Sequence, residues 1–365
     1  MTIRWVACEL HTHTVHSDAS HTLDEMATAA RELELDWIAL TDHNTVSGWA
    51  FKEQVEAKRG IGILSGLEWT TFYGHMLTLG ANVLHHADWR FTGPDDIDEG
   101  IAGIHKSGGL AGIAHPFRIG SPICTGCYWE FTIGKWKALD YIEVWNGPSP
   151  HMKAFNQRAY LFWTELLNRG LRIPAVSGRD WHHSLLSSEA TLAVTYLGVH
   201  EEAAAGYAGG GAALESAVQD PRKGVSEPQL LEAIRLGAVS VTQGPLLKLY
   251  ARETGREENR TFGIGEVARV DPSAGSRLSL TVEADFEVRK RQWSLEGQEL
   301  KLCLVGSAGI VAEWIVPPVS AAFKTCSDMT GQRWIRAELY GTMNGQAGLL
   351  AFTNCIYVEE GSLTL

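Results

Sequence analysis

The sequence is short of positive charge, of long apolar runs and of cysteine. Lys and Arg number 31 against 43 Asp and Glu, a formal net charge of −12. Such a field is unsuited to holding a nucleic-acid polymer or an anionic membrane, and neither is expected as a partner. A small anion can still bind at a local positive site. No apolar run reaches the roughly 18 residues that a membrane span needs. The start, MTIRWVACELHTH, has no n-region followed by a long apolar stretch, so no signal peptide is expected. The 6 cysteines are scattered at positions 8, 124, 127, 303, 326 and 355. The expectation is therefore a cytoplasmic protein with reduced thiols. Cys124 and Cys127 have the spacing of half a zinc knuckle, but no second pair lies at finger distance.

What is there divides at about residue 245. Before it, short apolar strands alternate with helical patterns. Strands are predicted at 5–10, 37–40, 61–67, 76–79, 110–114, 141–144, 173–176 and 191–197. Thr22-Leu-Asp-Glu25 reads as a capping box opening a helix with Met26, Ala29, Ala30 and Leu33 on one face. Further helices are predicted at 48–59, 95–106, 152–168 and 228–236, several ending at a glycine. Such alternation implies an α/β domain around a parallel sheet, open or closed into a barrel. After Gly244-Pro245 no amphipathic helix is apparent, and strands at 246–251, 278–284, 301–305, 311–316, 334–339 and 356–359 suggest a β-sandwich. The expected domains are thus 1–244 and 245–365. The Ala/Gly-rich stretch 201–221 reads as an insertion, and the charged block 252–260 as a solvated hairpin.

Histidines carry the chemistry. "ELHTHTVHSDAS" follows an apolar strand, and His11 and His13 alternate so that both side chains share one face. Strand ends elsewhere carry Asp42 and His43 ("TDHN"), Glu68 ("GLEW"), His115 ("AHPF"), Glu143 and Asn146 ("IEVWNG"), and Asp180 and His182 ("GRDWHH"); His75 opens a strand ("GHMLTLG"). A lone histidine after a strand is usually a satisfied core or surface residue. Six of 14 histidines at such positions, and none after residue 245, favour a carboxylate-bridged cluster of two or three metals.

These motifs resemble the polymerase and histidinol phosphatase (PHP) superfamily of metallohydrolases, over residues 9 to about 183. "GHMLTLG", "AIRLGAVSVTQGP" and "TNCIYVEEG" further resemble its carbaryl-hydrolase branch. The resemblance implies a distorted (β/α)7 barrel, followed here by the sandwich. It implies one metal held by His11, His13, Glu68 and Asp180. A second would take Glu68 as bridge with His75 and His115, and a third Asp18, His43 and His182. Ser17-Asp18-Ala19 lacks the glycine of the family's "SDG", which leaves the carboxylate but alters the turn.

Two or three Zn, Mn or Fe ions at such a site would supply a bridging hydroxide near neutral pH. Phosphoesters suit it, because their anionic oxygens can ligate metals. The expectation is therefore a hydrolase of small phosphomonoesters or diesters. Hydrolysis of a carbamate, ester or amide is the alternative, and a catalytically silent metal- or ligand-binding protein is another. Arg118 and Arg179 are candidates for gripping phosphate. His16 is a candidate for substrate contact or proton donation, and Asp42 for orienting an imidazole. Phe117, Trp145, Asn146 and Trp181 are candidate pocket residues. A homo-oligomer is compatible with the sequence.

Overall fold

The computed structural model describes residues 3–80, 88–120, 126–184, 191–200, 224–254, 260–270 and 277–361. Its first part contains β1 (Ile3–Thr12), α1 (Leu23–Glu32), β2 (Trp37–Leu40), α2 (Lys52–Arg59), β3 (Gly62–Thr70), β4 (His75–Leu79) and α3 (Ile97–Lys106). It continues with β5 (Leu110–Ile113), β6 (Tyr141–Asn146), α4 (Ala154–Asn168), β7 (Ala175–Gly178), β8 (Val194–His200), α5 (Glu227–Leu236) and β9 (Val239–Thr242). The local signals act as expected at several ends. Thr22 and Glu25 exchange their capping-box hydrogen bonds at the start of α1. Gly60 and Gly237 terminate α2 and α5 in the left-handed conformation that glycine adopts without a Cβ clash. The insertion 201–221 lies outside the described residues.

The strands follow the order β9-β8-β1-β2-β3-β4-β5-β6-β7. The sheet is mixed, which corrects the parallel-sheet expectation. β1–β2–β3 and β5–β6–β7 run parallel, whereas β4 is antiparallel to both neighbours, and β8 to β1 and β9. The cause is local: residues 71–74 join β3 to β4 by a short turn, and a hairpin reverses direction where a helical crossover would not. The ladder does not close into the expected barrel among the described residues. An isolated parallel bridge, Thr12–Trp181, instead joins the end of β1, inside the ladder, to the chain after β7, its last strand. There Trp181 N–H donates to His11 O (3.1 Å) and His13 N–H to Trp181 O (3.0 Å). That bridge draws the chain after β7 against the exit of β1.

Beyond residue 245 the described chain is strand-built, with β10 (Leu246–Thr254), β11 (Thr261–Gly263), β12 (Val267–Val270), β13 (Arg277–Asp285), β14 (Leu300–Gly306), β15 (Gly309–Val316), β16 (Ala321–Ser327), β17 (Trp334–Met343), β18 (Gln346–Thr353) and β19 (Ile356–Glu360). The one helical element described there is a three-residue 3-10 turn, Lys290–Gln292. One layer is the sheet β11-β10-β13-β16. The alternating inward residues Leu278, Leu280, Val282 and Ala284 of β13 pack on Leu302, Leu304, Ile335, Ala337 and Leu339 of the facing layer. Charged block 252–260 has hairpin flanks, with Arg252 opposite Thr261. The facing layer is not separate from the first part: β18 pairs with β9, Ala351 opposite Thr242, so one sheet crosses residue 245. Asn354 fastens the same seam, accepting Ala175 N–H (2.7 Å) and donating to Ala175 O (2.7 Å).

Cys127 is disulfide-bonded, while Cys8, Cys303, Cys326 and Cys355 are free thiols. This corrects the expectation that all thiols are reduced. No described helix is long and apolar enough to cross a membrane.

Candidate metal centre

The centre is built on Glu68, which is fully buried on β3. Its Oε1 lies 2.8 Å from His75 Nδ1 and 3.2 Å from His115 Nε2. Its Oε2 lies 3.1 Å from His11 Nε2, 3.2 Å from His13 Nε2 and 3.0 Å from His43 Nδ1. One carboxylate therefore faces five imidazoles drawn from β1, the β2 exit, β4 and the β5 exit. Strand alternation explains the first two: His11 and His13 are two apart and share a face, while Thr12 between them bonds into the sheet through Ala39 O.

Asp180 completes one side. Its Oδ1 is 3.1 Å from His13 Nε2 and 3.5 Å from His11 Nε2. A more exposed group lies at the edge. His182 Nε2 is 3.1 Å from Asp18 Oδ1, and His43 Nε2 is 3.6 Å from Asp18 Oδ2. Donor atoms of His11, His13, Glu68 and Asp180 all fall within 4.8 Å of one another, as do those of His13, Asp18, His43 and His182, those of His43, Glu68 and His75, and those of His11, His115 and Glu143. The structure thus brings together all nine sequence-predicted ligands. His43 differs from expectation in reaching Glu68 as well as Asp18.

The donor atoms fit divalent metal ions. His11 Nε2, His13 Nδ1 and Nε2, Glu68 Oε2 and His115 Nδ1 are buried without a hydrogen-bond partner. Buried polar atoms are seldom left so, and imidazole lone pairs grouped around a carboxylate answer that need by coordination. Burial would lower the pKa of His11, but the Glu68 and Glu143 carboxylates overcome it and raise His11 to about 10. Burial pushes His43 down to about 4 and also lowers His115. The Glu68 carboxyl, against its burial, is held well below the usual range by His11, His43 and His75.

Other candidates sit elsewhere. Among the described residues Asp42 bonds no imidazole; it accepts Thr14 N–H (2.7 Å), Thr14 Oγ1 (2.8 Å) and Ser17 Oγ (2.7 Å) and so fixes the turn between His13 and Asp18. His16 lies outside the cluster, with Nδ1 2.9 Å from Ser47 Oγ and its ring beside Phe51. Arg118 reaches the centre: Nη1 bonds Asp180 Oδ2 and, at 3.0 Å, Asn146 Oδ1. Arg179 does not; its guanidinium lies 4.4 Å from the Trp181 ring centroid. Trp181 is a core residue, and Trp145, also buried, lines a cavity with Tyr160, Arg336 and Leu349 away from the metal cluster. Trp181 packs with the α1 cluster, and Trp145 meets Phe352 edge-on at 5.0 Å. Phe117 is half-buried beside Tyr128 and Phe162, under the Arg158 guanidinium.

Two carboxylates were given no role by the sequence reading. Glu143 is fully buried, with Oε1 3.0 Å from His11 Nδ1. Glu9 accepts His11 N–H (2.9 Å) and Arg179 N–H (2.8 Å), and burial raises it to about 7. The available signal was an acidic residue inside an otherwise apolar strand, which alternation alone marks as inward-facing.

An uncharacterized protein of Methanocaldococcus jannaschii is 27% identical over 133 residues, covering 32% of this chain and 69% of that protein. A two-domain protein of Bacteroides vulgatus, described as containing a predicted PHP-like metal-dependent phosphoesterase, is 15% identical. Its TM-score is 0.51, with 97% of this chain and 96% of that chain covered. At that identity the likeness is one of fold, and it spans both parts of the molecule. An amidohydrolase of Chromobacterium violaceum matches 48% of this chain and 87% of its own, with 18% identity and a TM-score of 0.34. Residues 9–102, the stretch that supplies His11, His13, Asp18, His43, Glu68 and His75, match the PHP domain family.

Proposed function

We propose that the protein is a divalent-metal-dependent hydrolase of small phosphomonoesters or diesters. The observation that carries this reading is the single buried carboxylate of Glu68 facing five imidazoles, His75 and His115 from one oxygen and His11, His13 and His43 from the other. In this reading His11, His13, Glu68 and Asp180 hold one ion, and His75 and His115 share Glu68 around a second. Asp18, His43 and His182 form a third, more open site. Zn, Mn and Fe all suit these donors. Bound metal supplies Lewis acidity and a hydroxide near neutral pH.

The chain's own contribution is placement and charge. The buried cluster keeps water from screening its charges, so each is worth more than at the surface. Arg118 stands at its open side with 38% of its side chain exposed. Among the described residues Nη1 alone is tied down, which leaves the remaining N–H groups for a phosphoryl oxygen. Arg179, stacked on Trp181, is not part of this reading.

A second reading, carbamate, ester or amide hydrolysis, draws support from Phe72, which is 53% exposed on the turn between β3 and β4. That apolar surface, on the turn that follows Glu68 and precedes His75 in the chain, suits an uncharged substrate. Metal-loaded protein would be assayed on p-nitrophenyl phosphate, bis-p-nitrophenyl phosphate, nucleotides and 1-naphthyl methylcarbamate. The expected result is turnover of a phosphoester, inhibited competitively by inorganic phosphate. Arg118→Ala should cost about 2–4 kcal/mol in transition-state stabilisation on phosphoesters and less on neutral esters. Metal content measured in parallel separates this loss from disturbance of Asp180. Turnover of the carbamate without phosphate release from any phosphoester would reverse the order, and no turnover at full metal content would favour a binding protein.

A further inference from the structure

We propose that Glu143, together with Asn146, is a positioning layer behind the metal cluster, fixing His11 with its Nε2 inward and holding Arg118 against Asp180. This rests on the metal-centre reading above and assigns roles to two residues that are not themselves ligands in it.

Each oxygen of Glu143 has a separate task. Oε1 is 3.0 Å from His11 Nδ1. A carboxylate only accepts, so this contact puts a proton on Nδ1 and leaves the Nε2 lone pair facing Glu68 and Asp180. Oε2 accepts the His115 backbone N–H at 2.9 Å and Asn146 Nδ2 at 3.2 Å. The first of these holds His115 at φ 26°, a left-handed conformation unusual for a residue with a Cβ. The second passes the constraint outward. Asn146 Oδ1 accepts from Arg118 Nη1, which also bonds Asp180 Oδ2. A chain of contacts therefore runs from His11 through Glu143, Asn146 and Arg118 back to Asp180, joining two ligand residues from behind.

The fold is built to admit this layer. Asn146 is clamped by Asn156 at the start of α4, with backbone N–H to Oδ1 and Nδ2 to backbone O both at 3.0 Å. On β7, a Cβ at Gly178 would lie 2.3 Å from Glu143 Oε1 and 2.4 Å from His11 Cβ. Only glycine leaves room there for the His11–Glu143 contact.

The test is metal affinity, measured by titration against a competing chelator for the full chain and its variants, using Zn²⁺ or Mn²⁺ alone. Outer partners of metal-bound histidines typically contribute 10–100-fold to affinity. Glu143→Ala should weaken binding by about that factor. Glu143→Gln keeps the size and one carbonyl acceptor, so it should fold and recover part of the loss. Asn146→Ala should weaken metal binding too, but less than Glu143→Ala, because His11 keeps its Glu143 contact while Arg118 loses one anchor beside Asp180. Wild-type affinity in folded Glu143→Ala, or equal losses in the Ala and Gln variants, would overturn the proposal. Wild-type protein that binds neither metal would instead overturn the metal-centre reading on which it stands.

Discussion

His115 and Asp180 hold φ angles of 26° and 55°, and the side chains of both face the cluster, His115 toward Glu68 and Asp180 toward His13. Non-glycine residues in this region persist where surroundings over-determine them, and such strain gathers at functional sites. Here the surroundings are Glu143, which grips His115 N–H, and Arg118, which grips Asp180. The protonation pattern is also set residue by residue. Burial keeps His43 and His115 neutral, ready to donate lone pairs, whereas Glu68 and Glu143 hold a proton on His11 up to a pKa of about 10. Metal must displace that proton. Because the raised group keeps its proton as pH falls, metal affinity should fall with pH and proton release should accompany binding. Calorimetry in buffers of different ionisation enthalpy measures that release; pH-independent binding with no proton released would contradict it. Removing the bridge, Glu68→Ala, should strip metal from the protein as measured by elemental analysis, since both sides of the cluster lose their shared ligand.

Among elements, the placement of α3 shows how a titrating contact can be structural rather than functional. His105, in its last turn, lies 2.8 Å from Asp140 Oδ2 just before β6. The same oxygen accepts Ala111 N–H of β5 at 2.7 Å. The Asp140 hydrogen bond raises the His105 pKa above its ordinary value. A raised folded-state pKa stabilises below the unfolded value, and the contribution is lost as pH rises through the folded value. His105→Gln should therefore lower the melting temperature at pH 5.5 and much less at pH 9. An equal loss at both would show that packing, not the charged contact, is what the residue supplies. His105 is more than one-third exposed, so the effect is modest.

At the scale of the whole molecule, the strand-only part is joined to the site-bearing part by more than a linker. β18 extends the first sheet at β9, and Phe352 of β18 packs against Trp145, the neighbour of Asn146. Buried Asn354 satisfies both backbone groups of Ala175 on β7. We propose that residues 1–244 act as the unit that carries the metal centre and 245–365 as its buttress. Asn354→Ala should destabilise the chain by about 1–3 kcal/mol for each backbone group left unsatisfied, visible in denaturant unfolding. Residues 1–244 expressed alone should lose cooperative unfolding, because β9 would present a bare edge and Trp145 an uncovered ring. A cooperative, metal-binding 1–244 fragment would show that the buttress is dispensable.

Much of this was legible in the sequence, and the limits have physical causes. Alternation put His11 and His13 on one face and strand ends marked most of the other candidates, because a strand's geometry decides which side chains share a face, while the resemblance to the PHP superfamily supplied Asp18 and the grouping into metal sites. Caps and glycine stops located the helices for the same local reason. The direction of β4, the open ladder and the pairing of β18 with β9 were not legible, since strand pairing joins residues far apart in the chain. β18 itself, Gln346–Thr353, hides in a Gly- and Ala-rich apolar run without alternation. Tertiary packing also decided between residues of equal promise. Trp181 went to the core, Trp145 to Phe352 and a cavity away from the cluster, Arg179 to the Trp181 face, and Arg118 to Asp180. Nor could sequence show that Glu143 stands behind His11, because a strand-end carboxylate reads alike as ligand, ligand support or bystander until the strands around it are placed.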